Sequence, residues 1–190
     1  MREEIEIEFK NMVTKEEFQT LCDAFHIKTF TTQINHYFET PDFSLRNAGS
    51  ALRIREKNST YMLTLKQPAK IGLLETHQSL TKAEAKQIIQ TGVIPDGPIA
   101  IQLENLGIPR TLTYYGCLST ERAEMHYQDG LLVFDHSFYF EHDDYELEYE
   151  VTDEEKKEDF LSLLRSYNIP IRSTQNKVQR FFLAKQQNDD

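Results

Sequence analysis

The chain has 190 residues, 39% of them hydrophobic and 27% charged, with few Gly and Pro, which places it among globular chains and excludes a disordered or fibrous one. A formal net charge of −10 makes it acidic, so general attraction to nucleic acid or anionic membrane is excluded, and a polyanionic ligand would have to be met in a locally basic pocket. One domain over residues 1–190, with a sizeable core, is the expectation for this length.

The first predicted element starts too close to Met1 to leave room for the basic and apolar regions of a signal peptide, and no apolar run approaches transmembrane length. Cys22 and Cys117 lack CxxC or Cys-His spacing and read as unpaired intracellular thiols. A cytoplasmic protein is expected, a monomer or homodimer with no membrane or nucleic-acid partner.

In chain order, Glu4 to Lys10 alternates charged and apolar residues, the period of a strand that buries Ile5, Ile7 and Phe9 and lines up Glu4, Glu6, Glu8 and Lys10 opposite. Thr14-Lys15-Glu16-Glu17 has the form of a capping box, followed by Phe18, Leu21, Cys22 and Phe25 at helical spacing. Strand alternation returns from Gln33 and stops at Thr40-Pro41-Asp42; Asn47 to Ser50 turns the chain into Ala51 to Glu56, with Leu52 and Ile54 on one face and Arg53 and Arg55 on the other. Tyr61 to Lys66 repeats the design, and Leu74 to Leu80 is a weaker strand carrying Glu75. Thr81 to Glu84 is a second capping box, opening a helix that Gly92 can end, and Ile99 to Leu106 is a short helical run. Three strands follow, Thr113 to Tyr127 with Arg122, Leu131 to Phe140 with Asp135, and Tyr145 to Val151 with Glu146, Glu148 and Glu150 on one face. Asp153 starts a helix, Ser173 can cap a last one that presents Lys177 and Arg180, and the acidic residues after about Gln187 read as a frayed tail.

Several strands thus pair an apolar face with a face of isolated charges of both signs. The helices supply about one covering layer. A curved antiparallel sheet wrapped outside by helices would turn the charged faces inward, where acids and bases must pair or bind ligand because unpaired buried charge costs several kcal/mol. Clustered Lys and Arg suit a condensed phosphate chain of about four negative charges, Arg through its planar fork. The carboxylates make sense as hard oxygen ligands for Mg²⁺ or Mn²⁺. No GxxxxGK[ST] loop is present to hold phosphate by a helix N-terminus.

Glu6-Ile7-Glu8-Phe9-Lys10 fits an ExExK signature, and Tyr37-Phe38-Glu39-Thr40-Pro41 and Ala51-Leu52-Arg53-Ile54-Arg55 look like YFDT and ALRIR blocks. In that order they resemble the CYTH family, the triphosphate tunnel metalloenzymes, which includes class IV adenylyl cyclases and thiamine triphosphatases. The resemblance covers nearly the whole chain and implies an α+β fold, an eight-stranded antiparallel β-barrel open at both ends and wrapped by helices. It implies metal ligation by Glu6, Glu8, Glu75, Asp135, Glu148 and Glu150. Substrate binding falls to Lys10, Arg53, Arg55, Lys66, Arg122, Lys177 and Arg180, with Lys66 and Lys177 also as candidate catalytic groups that orient or deprotonate water. Glu39 stands for the usual Asp, and Thr120 stands where many relatives have Lys. Of Glu146, Glu148 and Glu150, the last two are chosen as ligands because the residues around them follow the family's EIEL pattern. Against these roles, Arg122 could instead form a surface pair with Glu121 or Glu124, and Arg180 could be plain helix-surface charge. His26, His36, His77, His126, His136 and His142 lack metal-ligand spacing and read as surface or core residues.

The expected activity is metal-dependent hydrolysis of inorganic triphosphate, a nucleoside triphosphate or thiamine triphosphate. The alternatives are a cyclase making cyclic AMP and pyrophosphate from ATP, and a non-catalytic polyphosphate-binding module, which would have no need of paired carboxylates beside its phosphates.

Overall fold

The computed structural model describes residues 2–173 and 175–189. Along the chain lie β1 (Arg2–Val13), α1 (Lys15–Ala24), β2 (Thr31–Glu39), α2 (Ser44–Asn47), β3 (Ala51–Lys57), β4 (Thr60–Pro68), β5 (Leu73–Leu80), α3 (Lys82–Thr91), α4 (Pro98–Asn105), β6 (Thr113–Tyr127), β7 (Gly130–Tyr139), β8 (His142–Val151), a 3-10 turn at Glu154–Lys156, α5 (Lys157–Ser166) and α6 (Lys177–Asp189). The strands follow one another in the order β1-β5-β4-β3-β2-β6-β7-β8 and close into a barrel, the α+β architecture that the family resemblance implied. By its contacts the chain divides into two units, one of Gln33–Leu118 with the start of β1 as far as Ile5, the other of Glu6–Thr32 with the chain from Ser119 on.

In the first unit, Leu52 and Ile54 of β3 and Leu63 and Leu65 of β4 are buried with Ala85 and Ile88 of α3 and Ile99 and Leu103 of α4. The opposite face is fixed by the register, which sets Arg53 against Thr64, Lys66 against Glu75 and Thr64 against His77. In the second unit, Leu132 and Phe134 of β7 and Leu147 and Tyr149 of β8 are buried with Phe18 and Leu21 of α1 and Phe160, Leu163 and Leu164 of α5. Each such side chain contributes about 1.5–3 kcal/mol on burial, so the apolar faces go to the helices and the charged faces have no choice but the other side.

Local signals act where the sequence puts them. Thr14 Oγ1 accepts from Glu17 N at 3.2 Å while the Glu17 carboxylate accepts from Thr14 N at 2.8 Å, and Thr81 and Glu84 form the same box. Gly92 ends α3 at φ +70°, where a Cβ would stand 1.8 Å from Leu112 O. The last helix departs from expectation. Asn176, not Ser173, caps α6, with its Oδ1 accepting from Gln179 N at 2.9 Å and its own N–H donating to Gln179 Oε1 at 3.3 Å. A cap must directly precede the first helical residue, and Asn176 has the partner three residues on that closes the box. The helix continues through Asp189, past Gln187; Asp190 lies outside the described residues.

Glu39, the residue standing for the family's Asp, proves to be a structural acceptor. Its carboxylate is buried and accepts from Thr40 N at 2.7 Å, Leu45 N at 3.0 Å and Arg46 N at 2.9 Å, serving the start of α2 from the strand before it. Glu39→Ala would leave these donors short of an acceptor and should lower stability by about 1–3 kcal/mol or more, read as a drop in the urea midpoint. An unchanged midpoint would show that water replaces the carboxylate.

Candidate active site

In the second unit the charged face is built across β6, β7, β8, β1 and α6. Asp135 of β7 lies opposite both Arg122 of β6 and Glu146 of β8, and Lys10 of β1 lies opposite Glu148. Arg122 grips Asp135 with a two-point fork, Nε donating to Oδ1 at 2.7 Å and Nη2 to Oδ2 at 2.6 Å. The same Nη2 donates to Glu148 Oε2 at 2.8 Å. Arg122 is 9% exposed and Asp135 is fully buried, so the fork is a desolvated pair rather than a surface one, and the suggested pairing with Glu121 or Glu124 is not where this side chain goes.

The terminal helix adds two cations. Lys177 Nζ contacts Asp135 Oδ2 and donates to Glu148 Oε1 at 3.1 Å. It also lies 3.1 Å from Glu146 Oε1, an ion pair without hydrogen-bond alignment, so this last contact is Coulombic. Arg180 donates from Nε to Asp144 Oδ2 at 2.9 Å and from Nη1 to Glu146 Oε2 at 2.8 Å. It is no helix-surface charge. Phe181, fully buried and stacked on Phe140 with centroids 5.4 Å apart, fixes the helix turn that carries Arg180.

These contacts set the protonation states. Burial works against the Lys177 ammonium, but Asp135, Glu148 and Glu146 outweigh it and hold the pKa well above the usual lysine value. These carboxylates favour the charged lysine. Burial likewise opposes the ionised Glu148 and Asp135, yet Lys177 and Arg122 keep both below the ordinary carboxylate range. Glu146 goes the other way. Burial first, then the neighbouring Glu148, push its pKa up to about 7 against the opposing pull of Lys177 and Arg180. The two acids titrate together, and of the pair Glu146 is the harder to ionise.

Among the described residues, three groups of side chains could hold a cation: Glu6, Glu8 and Glu150; Asp135, Glu146 and Glu148; and Glu4, Glu75 and His77, each offering ligand atoms within 4.8 Å of one another. The Asp135 group already encloses an internal cation, the Lys177 ammonium. The Glu6 group is half-buried, with Lys10 against Glu8 and Arg122 Nη1 at 3.7 Å from Glu150 Oε1. Burial lowers the Lys10 pKa, but Glu8, Glu148 and Glu146 together carry it above its usual value.

In the first unit Arg55 donates from Nε to Asn35 Oδ1 at 3.0 Å, its register partner on β2. Arg53 Nε is buried and has no acceptor among the described residues, an orphaned donor of the kind an anion would satisfy. Lys66 contacts Glu75. Thr120, where a basic residue is absent, is buried with its hydroxyl 3.1 Å from Ser137 Oγ.

The structure therefore joins Lys10, Arg122, Lys177, Arg180, Glu6, Glu8, Asp135, Glu148 and Glu150 in one connected group, and joins Lys66 to Glu75 in the other unit. Sequence reading set Glu146 on the charged face without choosing it as a ligand, and missed Asp144 as a member of the charged group and Glu4 and His77 as neighbours of Glu75. Glu146 and Glu4 were legible from strand alternation. His77 was not, because its partner Glu4 lies 73 residues away.

A closed antiparallel barrel with helices on its apolar faces and a lining of paired carboxylates and cations defines the class. The chain belongs to the CYTH family: the CYTH domain model matches residues 4–182. It is 47% identical over 189 residues to the candidate triphosphatase YjbK of Bacillus subtilis (strain 168), covering 97% of this chain and 98% of that one. A crystal structure described as a candidate adenylate cyclase from Bacillus halodurans is also 47% identical, with a TM-score of 0.92 over 96% of this chain and 100% of that one. A Hippeastrum protein at 23% identity, with 95% of each chain covered and a TM-score of 0.79, shares the fold.

Glu146 makes a distinct contribution to the pH dependence of the metal-free protein. Its pKa is about 7 folded against an ordinary 4.5, so between those values the folded state holds more protons than the unfolded one. Its contribution to stability is complete below about 4.5 and is lost as pH rises through about 7. Asp135 and Glu148, with depressed values, act in the other direction and at lower pH. Subtracting the urea-midpoint profile of Glu146→Gln from that of the parent should leave a fall across this window, and parallel profiles would refute the assignment.

Proposed function

We propose that this chain hydrolyses a triphosphate in the charged interior of its barrel, with Mg²⁺ or Mn²⁺ as cofactor. The observation that carries the reading is the Glu6, Glu8 and Glu150 group with the Arg122 guanidinium beside it. Three carboxylates supply hard oxygen donors, and they are half-buried rather than sealed, so the set fits a hard dication that keeps positions for water and phosphate oxygens. When bound there, such a cation supplies charge neutralisation and Lewis-acid polarisation of a phosphoryl oxygen.

The chain's own residues do the rest. Asp135 holds the Arg122 fork rigid, leaving Nη1 on the Glu150 side to receive a phosphate oxygen. Lys10, Lys177 and Arg180 supply further positive charge, and Arg53, Arg55 and Lys66 are the phosphate-binding groups of the first unit, with Arg53 Nε the donor in want of an acceptor. Lys177, held charged, acts as a cation that binds and orients rather than as a base. Lys66 is assigned the same clamping role. Asp135 and Glu148 could join the metal ligands only where Lys177 withdraws its ammonium. Most of the catalysis in this reading is positioning and charge stabilisation around an in-line water.

The two relatives at 47% identity carry different names, so identity does not choose between hydrolysis and cyclisation. Hydrolysis is favoured because each charged group named here serves phosphate or metal, whereas a cyclase must also recognise a purine. The natural setting we take to be the cytoplasm; no helix among the described residues is long and apolar enough to cross a membrane.

Separating orthophosphate, pyrophosphate and cyclic AMP as products tests the proposal. With Mg²⁺ or Mn²⁺ the protein should release phosphate from inorganic triphosphate or a nucleoside triphosphate, and release none in excess chelator. Glu150→Gln should lower kcat/KM by about a hundredfold or more, the scale of losing a charge-stabilising group. Lys177→Met should raise KM before it lowers kcat if the lysine is a clamp. Cyclic AMP as the main product, or full turnover in chelator, would overturn the reading.

A further inference from the structure

Asp144 stands on the charged face of β8 with Glu146 and Glu148, at the end nearest the β7–β8 turn. Its carboxylate accepts from two side chains. Tyr139 Oη donates to Oδ2 at 2.6 Å, Arg180 Nε donates to the same oxygen at 2.9 Å, and Arg180 Nη2 reaches Oδ1 at 3.4 Å. The other side of the guanidinium is engaged as well, Nη1 donating to Glu146 Oε2 at 2.8 Å and to Gln175 O at 2.6 Å. Asp144 and Arg180 are both largely buried.

Guanidinium and carboxylate are both planar, so a side-on pair of this kind fixes direction as well as distance. The Tyr139 bond sets the Asp144 carboxylate with its oxygens turned to α6. Burial, with the Asp144 bond behind it, pushes the Tyr139 pKa up to about 12, so at neutral pH its hydroxyl is a donor. Lys177 lies three residues before Arg180 and therefore on the same face of α6. Turning the helix by one residue, about 100°, would carry Lys177 away from Asp135 and Glu148. The chain that leads into the helix is pinned separately: Asn11 Oδ1 accepts from Arg172 N at 2.7 Å and Asn11 Nδ2 donates to Pro170 O at 3.0 Å.

We propose that Asp144, supported by Tyr139, is a positioning residue: it holds Arg180, and through it the turn of α6 that sets the Lys177 ammonium against Asp135 and Glu148. This role rests on the reading of Lys177 and Arg180 as phosphate-binding cations. Its benefit is preorganisation, because two long side chains already fixed lose little freedom when an anion arrives. The sign of the effect separates this role from simple electrostatics. An acid near a phosphate site weakens anion binding by its charge, so removing an acid that acts by charge alone lowers KM. Removing one that places the cations raises it.

The test uses the full chain carrying Asp144→Asn, which keeps the shape of the side chain but replaces one acceptor oxygen by an N–H donor. Acetylation of Lys177 by an N-hydroxysuccinimide ester at neutral pH, without triphosphate, is read by peptide mass spectrometry against the exposed Lys82. It should rise about tenfold or more, the scale of losing a hydrogen bond between charged groups. With inorganic triphosphate and Mg²⁺, KM should rise about tenfold while kcat changes less, and Asp144→Glu should restore part of both readouts. Tyr139→Phe, which leaves every charge in place, should shift both in the same direction by a smaller factor. Folded Asp144→Asn with the parent's Lys177 acetylation, or with KM at or below the parent's, overturns the proposal. Should Asp144→Asn not fold, Tyr139→Phe decides on the same two readouts, and parental values overturn it. A parent that hydrolyses no triphosphate counts against the proposed function alone, since the anchoring of Lys177 by Asp144 stands or falls on acetylation read without substrate.

Discussion

Charge taken out of water has to be matched, and the second unit is arranged around that requirement. Asp135 is fully buried, as are Glu146 and, nearly, Glu148. Each ion removed from solvent costs several kcal/mol before any partner is counted, so three acids on adjoining strands could not stand together unaided. The Arg122 fork and the Lys177 ammonium supply matching charge, while burial and the neighbouring Glu148 push the Glu146 pKa up to about 7. Helix α6 is thereby tied to the chemistry, since its first residue is one of the cations on which the acids depend.

That arrangement leaves a division of labour among the carboxylates. Asp135, Glu146 and Glu148 are engaged by internal cations and serve to position them, while Glu6, Glu8 and Glu150 sit where solvent still reaches. A hard dication needs the second kind of environment, because it must keep room for water and substrate oxygens. In the first unit the contacts differ again: Arg55 donates to the neutral amide of Asn35, and Arg53 Nε is buried without an acceptor among the described residues.

Much of this was legible in the strand pattern because alternation is a local property. A period of two fixes which residues share a face whatever the partner strand is, so Glu6, Glu8, Lys10, Arg53, Arg55, Glu148 and Glu150 could be set on the charged side without coordinates. The capping boxes at Thr14 and Thr81 and the turn at Gly92 are equally local, each needing residues no more than a helical turn apart. At the last helix the local signal was ambiguous. Ser173 and Asn176 are both good caps, and only the position of the first helical residue selects between them.

By itself, then, the sequence determined the faces, most of the elements and the inventory of acids and bases, because these depend on residue type and short-range spacing. Only the tertiary structure decided who pairs with whom. Glu39 could not be told from a site residue until its three backbone donors were in place, and Arg122 could have been a surface ion pair until the register put it opposite Asp135. Glu146 was one of three equivalent glutamates until α6 brought Lys177 and Arg180 against it. His77 meets Glu4 across 73 residues of chain, through a ladder whose register follows from burying the opposite, apolar face. Hydrophobic burial selects that register, and the charges on the other face inherit their neighbours from it.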